Sequence, residues 1–127
     1  MDRVCHFEIP YDDKDRAAQF YQKAFGWEIE HMDQMDYSFA ITTETDDMMR
    51  PKEPGGINGG MYKRSDNGSK TPVVVMEVDS CEQRIKDVQA AGGAVVAPIR
   101  EVGEMGLYAQ VKDTEGNIVG LWQPLGR

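Results

Sequence analysis

The order of the apolar segments predicts an α+β fold built from two βαβββ modules with one main helix each. Three observations carry this prediction. Two stretches have the 3.6-residue apolar period of amphipathic helices. Each is preceded by one strand-like run and followed by three. The whole order begins again near residue 72, which makes an internal repeat of element order with a period of roughly 60 residues.

In the first module, Val4 to Ile9 alternates, with Cys5, Phe7 and Ile9 on one side and Val4, His6 and Glu8 on the other. Asp12, Asp13 and Asp15 suit a helix N-terminus, where acidic groups meet the positive end of the dipole. Ala17, Phe20, Tyr21, Ala24 and Phe25 then recur at helical spacing, and Gly26 is placed to cap the end. Trp27 to Met32 and Tyr37 to Thr42 read as strands about a turn at Asp33-Gln34. Residues 43–56 hold two prolines and two glycines and predict a loop long enough to serve as a lid or binding loop, with Met48-Met49 placed to close over a ligand. Ile57 to Lys63 is the fourth strand, and residues 65–71, with Asp66, Asn67, Gly68 and Ser69, form a polar linker.

The second module starts with the strand Val73 to Val78. Ser80-Cys81-Glu82-Gln83 has the form of a capping box, in which Gln83 reaches back to the cap. Cys81, Ile85 and Val88 make the apolar stripe of the second helix, which closes at Gly92-Gly93. Ala94 to Ile99 is a strand ended near Pro98, Met105 to Lys112 is another, and Ile118 to Gln123 is the last. One domain over residues 1–127 is expected, with module 1 at about 1–64 and module 2 at about 72–127. Two half-buried sheets would bury their open faces, and a ligand would sit in the concave surface so formed.

The formal net charge of −8 opposes binding to nucleic acid and favours solubility. No stretch approaches the ~20 apolar residues of a membrane helix, and the N-terminus lacks the apolar core of a signal peptide. A cytoplasmic protein with Cys5 and Cys81 reduced is therefore expected. Cys81, near a helix start, is read as a small core residue rather than a reactive thiol.

Several pieces together resemble the vicinal oxygen chelate superfamily, which includes glyoxalase I, the bleomycin-resistance proteins and extradiol dioxygenases. They are His6-Phe7-Glu8-Ile9-Pro10 before an acidic turn, Phe20-Tyr21 with Phe25-Gly26-Trp27, Val78-Asp79, Ala91-Gly92-Gly93, and the run from Asp113 to Trp122. The segment Gly116-Asn117-Ile118-Val119-Gly120-Leu121-Trp122 is most similar to a glyoxalase-like branch without one agreed reaction. The resemblance implies a U-shaped, eight-stranded mixed sheet, often completed in a homodimer. In metal-dependent members it implies a divalent ion held from the first and last strand of each half.

Those positions can be assigned here. His6 fills the first. Aligning Phe7-Glu8-Ile9 with Met76-Glu77-Val78 puts Val75 opposite His6, and aligning Tyr62 with Trp122 puts Gly60 opposite Gly120. Of His6, Gly60, Val75 and Gly120, only the histidine can donate to a metal. No cofactor is expected on this reading; the alternative is a shifted divalent site from His6, Glu8 and Glu77.

The catalytic candidates are His6, as acid or base, with Glu8 and Glu77 as proton partners. Tyr62, Trp122, Gly60, Gly120 and Val75 are the candidate ligand-binding residues, two aromatic walls beside two gaps. Three functions are compatible: a metal-independent small-molecule-binding protein, a lyase, isomerase or dioxygenase acting on a small oxygenated metabolite, or a dimeric module with a vestigial cleft. No Walker-type or Rossmann phosphate loop is present.

Overall fold

The computed structural model describes residues 1–66 and 68–125; Asn67 of the predicted linker lies outside the described residues, with Gly126 and Arg127. The elements are β1 (Val4–Tyr11), α1 (Lys14–Phe25), β2 (Glu28–Met32), β3 (Tyr37–Ile41), β4 (Gly59–Lys63), β5 (Val73–Glu77), α2 (Cys81–Ala90), β6 (Ala94–Val102), β7 (Gly106–Lys112) and β8 (Ile118–Pro124). This is βαβββ twice, the α+β class the periodicity predicts. The chain divides into two compact units: residues 6–72, and residues 73–127 joined by 1–5.

In the first unit the strands run in the order β2-β3-β4-β1. β1 and β4 are parallel, and the other pairs are antiparallel. α1 begins because Asp13, extended at φ −127°, accepts a hydrogen bond from Arg16 N and satisfies an amide the helix cannot. It ends at Gly26, whose φ of 73° only glycine adopts cheaply. Ala17 and Tyr21 pack on Tyr11, Ala40 and Met61, and Tyr21 stacks on Trp27 at 4.7 Å. The predicted stripe is wider than the contact. Phe20 and Phe25 lie at its margin and remain more than half exposed. Met61, fully buried, contributes roughly 2 kcal/mol by leaving water.

The loop 43–56 is tied to itself. Asp46 Oδ1 accepts from Met48 N and Arg50 N, and Asn58 Oδ1 accepts from Thr42 N and Thr43 N. Those amides hold the Asp46 carboxyl below its ordinary pKa. Met48 and Met49 are both exposed at the tip, and Met49 has a left-handed φ of 63°.

The second unit has the order β5-β8-β7-β6, with β5 and β8 parallel. Its helix covers Val78, Cys81, Val111 and Leu121, with Ile85 and Val88 on the helix side as predicted. Two expectations are corrected. Gln83 does not reach back to close a capping box: Ser80 Oγ accepts from Gln83 N, but the Gln83 amide turns outward to Asp87. A different orphan amide of this helix start, Cys81 N, is satisfied from β8, where Gln123 Oε1 accepts it at 2.9 Å. Nor does Pro98 end β6. The strand continues to Val102 through register shifts around Ala97, because the outer position of β6 leaves proline's missing N–H without a ladder partner to deprive. Among the described residues, no helix is long and apolar enough to cross a membrane.

Candidate functional site

Strand register gives the internal repeat a second, independent alignment. Tyr37 pairs with Tyr62 and Phe39 with Gly60 in the first half; Tyr108 pairs with Trp122 and Gln110 with Gly120 in the second. Tyr62 and Trp122 therefore match, as do Gly60 and Gly120. The first strands match differently from the sequence alignment. Glu8 pairs with Gly60, and Val75 pairs with Gly120, so Val75 is the counterpart of Glu8. Val73 stands as far before the cap Ser80 as His6 does before Asp13, and it is the counterpart of His6. Glu77 then matches Pro10, not Glu8. The shared Glu-x apolar pattern misled the alignment by two residues, a shift that keeps each side chain on the same face and so escapes a periodicity test.

In the first half, His6, Glu8, Gly60, Tyr62 and Tyr37 share the face of the sheet opposite α1, since paired strand residues and alternate residues face the same way. His6 Nε2 and Tyr37 Oη share a hydrogen bond at 2.9 Å. Burial lowers the His6 pKa to about 4, so the imidazole is uncharged at neutral pH. Glu8 is 6% exposed, unusual for a carboxylate. Gly60 is what makes room for the pair: a Cβ there would overlap the hydroxyl and ring of Tyr37. Tyr37 starts two pairs along from Gly60, and its ring slants back across the gap to reach His6.

In the second half, the face opposite α2 carries Val73, Val75 and Tyr108, all buried, with Val102, Ile118 and Trp122 packed on them. Here too a tyrosine closes the glycine position. A Cβ on Gly120 would lie 3.0 Å from Tyr108 Oη and 2.9 Å from Val75 Cγ2. Gln110 Nε2 donates to Tyr108 Oη at 2.9 Å, and the Arg100 guanidinium lies 5.4 Å from the Tyr108 ring centre. The fit is looser than in the first half, where the tyrosine hydroxyl stands in the Cβ place itself, and the hydroxyl's partner is an amide instead of an imidazole.

Glu77 is the ladder partner of Trp122 at the end of β5. Its carboxylate lies 3.6 Å from Arg3, and it lines a concavity of about 440 Å³ with Met1, Asp2, Arg3, Asp79 and Pro124. A second concavity, about 390 Å³, lies on the helix side of the first half between Tyr11, Arg16, Phe20 and Arg64, where an Arg64–Asp12 ion pair closes at 2.7 Å. None of the predicted site residues lines it. Cys81 is fully buried, and burial pushes its thiol pKa up, as fits a core residue.

The donor set does not fit a divalent ion. Glycines occupy residues 60 and 120, tyrosine rings fill the space beside them, and Val73 and Val75 offer hydrocarbon. Among the described residues, no group of three or more His, Cys, Asp or Glu side chains stands together where it could hold a metal.

Tyr37 and Tyr108 were not among the residues the sequence singled out. A signal was available in retrospect: each half has a tyrosine on the strand paired with a glycine-bearing one. Only register, however, says that ring and gap coincide.

Residues 3–41 match a family model described as Bleomycin resistance protein-like N-terminal. No curated protein matches the chain. Similar solved structures include methylmalonyl-CoA epimerase from Mycobacterium tuberculosis, with a TM-score of 0.61, 16% identity, and 97% of this chain and 88% of that one covered. A variant of Streptomyces coelicolor methylmalonyl-CoA epimerase in complex with 2-nitronate-propionyl-CoA gives a TM-score of 0.65 at 16% identity, over 98% and 95% of the two chains. A glyoxalase/bleomycin resistance protein/dioxygenase superfamily member from Vibrio splendidus gives 0.61 at 14% identity, over 98% and 100%. The N-terminal match and the shared fold bear out the resemblance that the sequence motifs carry.

Proposed function

We propose that this chain is a small-molecule-binding protein of the glyoxalase and bleomycin-resistance type that holds its ligand through side chains rather than through a metal ion. One observation carries the reading: the Tyr37 hydroxyl stands over Gly60 and bonds His6, where a metal-binding relative would be expected to place a ligand. An uncharged imidazole, a phenol hydroxyl and a buried carboxylate offer directional hydrogen bonds, and Tyr62 on the same face offers a ring face. A protein of the same fold in complex with an acyl-CoA analogue supports a small organic molecule as the ligand class. Association as a homodimer and residence in the cytoplasm belong to the same proposal.

The test is native mass spectrometry on untagged protein purified without chelator, followed by a thermal-shift screen of small oxygen- and nitrogen-bearing metabolites. The expected result is a metal-free species stabilised by at least one compound class, with the shift lost in His6→Ala. One divalent ion bound per chain and lost in His6→Ala would sink the reading.

The His6–Tyr37 bond also supports a second reading, acid–base chemistry at His6 with Glu8 as its partner. An imidazole with a pKa near 4 is a weak base at neutral pH, so this reading requires turnover that rises through pH 4–5 and then levels off. A turnover assay on any compound from the screen decides it.

A further inference from the structure

We propose that the groove at the start of α1, on the helix side of the first half, is a second small-molecule site that takes an aryl carboxylate, with the ligand ring on Phe20 and its carboxylate on Arg16. This groove lies on the other face of the sheet from His6, and the proposal does not rest on the binding function given above.

The apolar part of the groove follows from how α1 crosses the sheet. Ala17 and Tyr21 pack on Tyr11 and Met61, and Phe20 lies beside that contact. Phe20 is 57% exposed, yet it is held edge-on against Tyr21 at 5.1 Å and Phe25 at 6.1 Å. A ring that is fixed in place and still meets water gives a flat apolar ligand area to cover at little cost in order. The concavity beside it measures about 390 Å³. Small-molecule clefts run from roughly 300 to 1,000 Å³, so this one suits a ligand of one or two rings.

The charges at the groove select the ligand's polar group. Among the described residues, Asp12, Asp13, Arg16 and Arg64 line it. Three of the four are engaged. Asp13 caps α1 by accepting from Arg16 N at 3.0 Å. Asp12 pairs with Arg64 at 2.7 Å, and Arg64 Nε also donates to the Lys70 carbonyl at 3.3 Å. The Arg16 guanidinium makes no ion pair or side-chain hydrogen bond among the described residues. A planar fork of N–H donors beside an exposed ring matches a carboxylate carried on an aromatic group. A neutral ligand would leave the fork unpaired, and a cationic one would be repelled by it. The chain's net charge of −8 opposes general adsorption of anions, so an anion that stays here must be held by local contacts.

The test is titration of nitrogen-15-labelled protein with 2-naphthoate, followed by amide chemical shifts. The probe 2-naphthalenemethanol has the same ring and no charge. Saturable shifts are expected at Ala17, Phe20 and Arg64, with the acid bound about tenfold more tightly than the alcohol. Arg16→Gln keeps a good helix former on an exposed position and should weaken 2-naphthoate by about tenfold, with little effect on the alcohol. Asp12→Asn releases Arg64 and removes a competing carboxylate, so it should tighten 2-naphthoate by roughly threefold. Equal binding of acid and alcohol would overturn the proposal, because the groove would then be only an apolar surface. Unchanged affinity in Arg16→Gln would overturn it by removing the group assigned to the carboxylate. Shifts confined to the neighbourhood of His6 and Tyr37 would sink the second site while supporting the function proposed for that face. No saturable shift at a concentration on the order of 10 mM would sink it too, and would leave that function standing.

Discussion

The two halves share a strand order and a helix position, yet the faces they turn away from their helices differ in chemistry. In the first half that face carries His6 and Tyr37, bonded to each other, and the buried carboxylate of Glu8. In the second, Val73, Val75, Ile118 and Trp122 make it a hydrocarbon surface with one anchored hydroxyl, that of Tyr108. The repeat thus conserves geometry and separates tasks. The second face resembles ordinary core, stabilised by burial, whereas the first keeps ionisable groups where burial opposes their charge. Polar groups retained at that cost mark the first half as the chemically specific one.

Exchanging the two chemistries tests this contrast most severely. Val75→Glu places a carboxylate at a site 1% exposed among aliphatic side chains, and it should lower unfolding stability by about 3–5 kcal/mol, read from the urea midpoint. Glu8→Gln at the matching position keeps shape and hydrogen bonding and should cost far less. If the two losses are equal, the faces are not chemically distinct.

The next effect is the pH dependence of stability. His6 has a folded pKa of about 4 against 6.5 for the free side chain, so between those values the unfolded chain binds the proton and the folded chain does not. Stability attributable to His6 is therefore complete above pH 6.5 and is lost as pH falls toward 4, by at most roughly 3 kcal/mol. Denaturation of the native protein and His6→Asn across pH 4–7 should give curves that converge at the acid end. Parallel curves would mean that His6 is not desolvated.

Tyr37→Phe keeps the ring over Gly60 and removes only the bond to His6. A loss of about 1 kcal/mol is expected, with any ligand-induced thermal shift reduced. Tyr108→Phe should cost a similar amount through Gln110 but leave the ligand shift nearly unchanged if the first half carries the recognition. The smallest effect is Gln123→Ala, which strips the acceptor from the first amide of α2; about 0.5–1 kcal/mol is expected from thermal unfolding.

Much of the architecture could be read from local chemistry. The spacing of Cys81, Ile85 and Val88, the acidic start of α1, the caps Ser80 and Gly26, and the alternation in β1 each reflect interactions within a few residues. The failures also share a cause. Gln83 faced two acceptable partners, and Pro98 was read as a strand end because edge position is invisible in a linear chain. Phe20 and Phe25 sat on the apolar stripe but beyond the width that the sheet covers.

The candidate site was only half available for the same reason. His6, Glu8, Gly60 and Gly120 could be named from type and position, and the loss of metal donors followed from the glycines. The pairing of His6 with Val75 failed because a two-residue slip preserves facing, and only the ladder between β5 and β8 removes it. Tyr37 could be placed only by register, because its role is set by a gap on another strand.

The sequence by itself determined the element order, the two amphipathic helices with their caps, and the absence of donors at residues 60 and 120, all of which depend on residue type and short-range spacing. Only the tertiary structure decided that Tyr37 fills the place beside Gly60, that Tyr108 and Val75 border Gly120, that His6 is desolvated, and that Glu77 lies beside Arg3. Those facts depend on cross-strand register and burial, which arise between residues distant in the chain and leave no periodic trace along it.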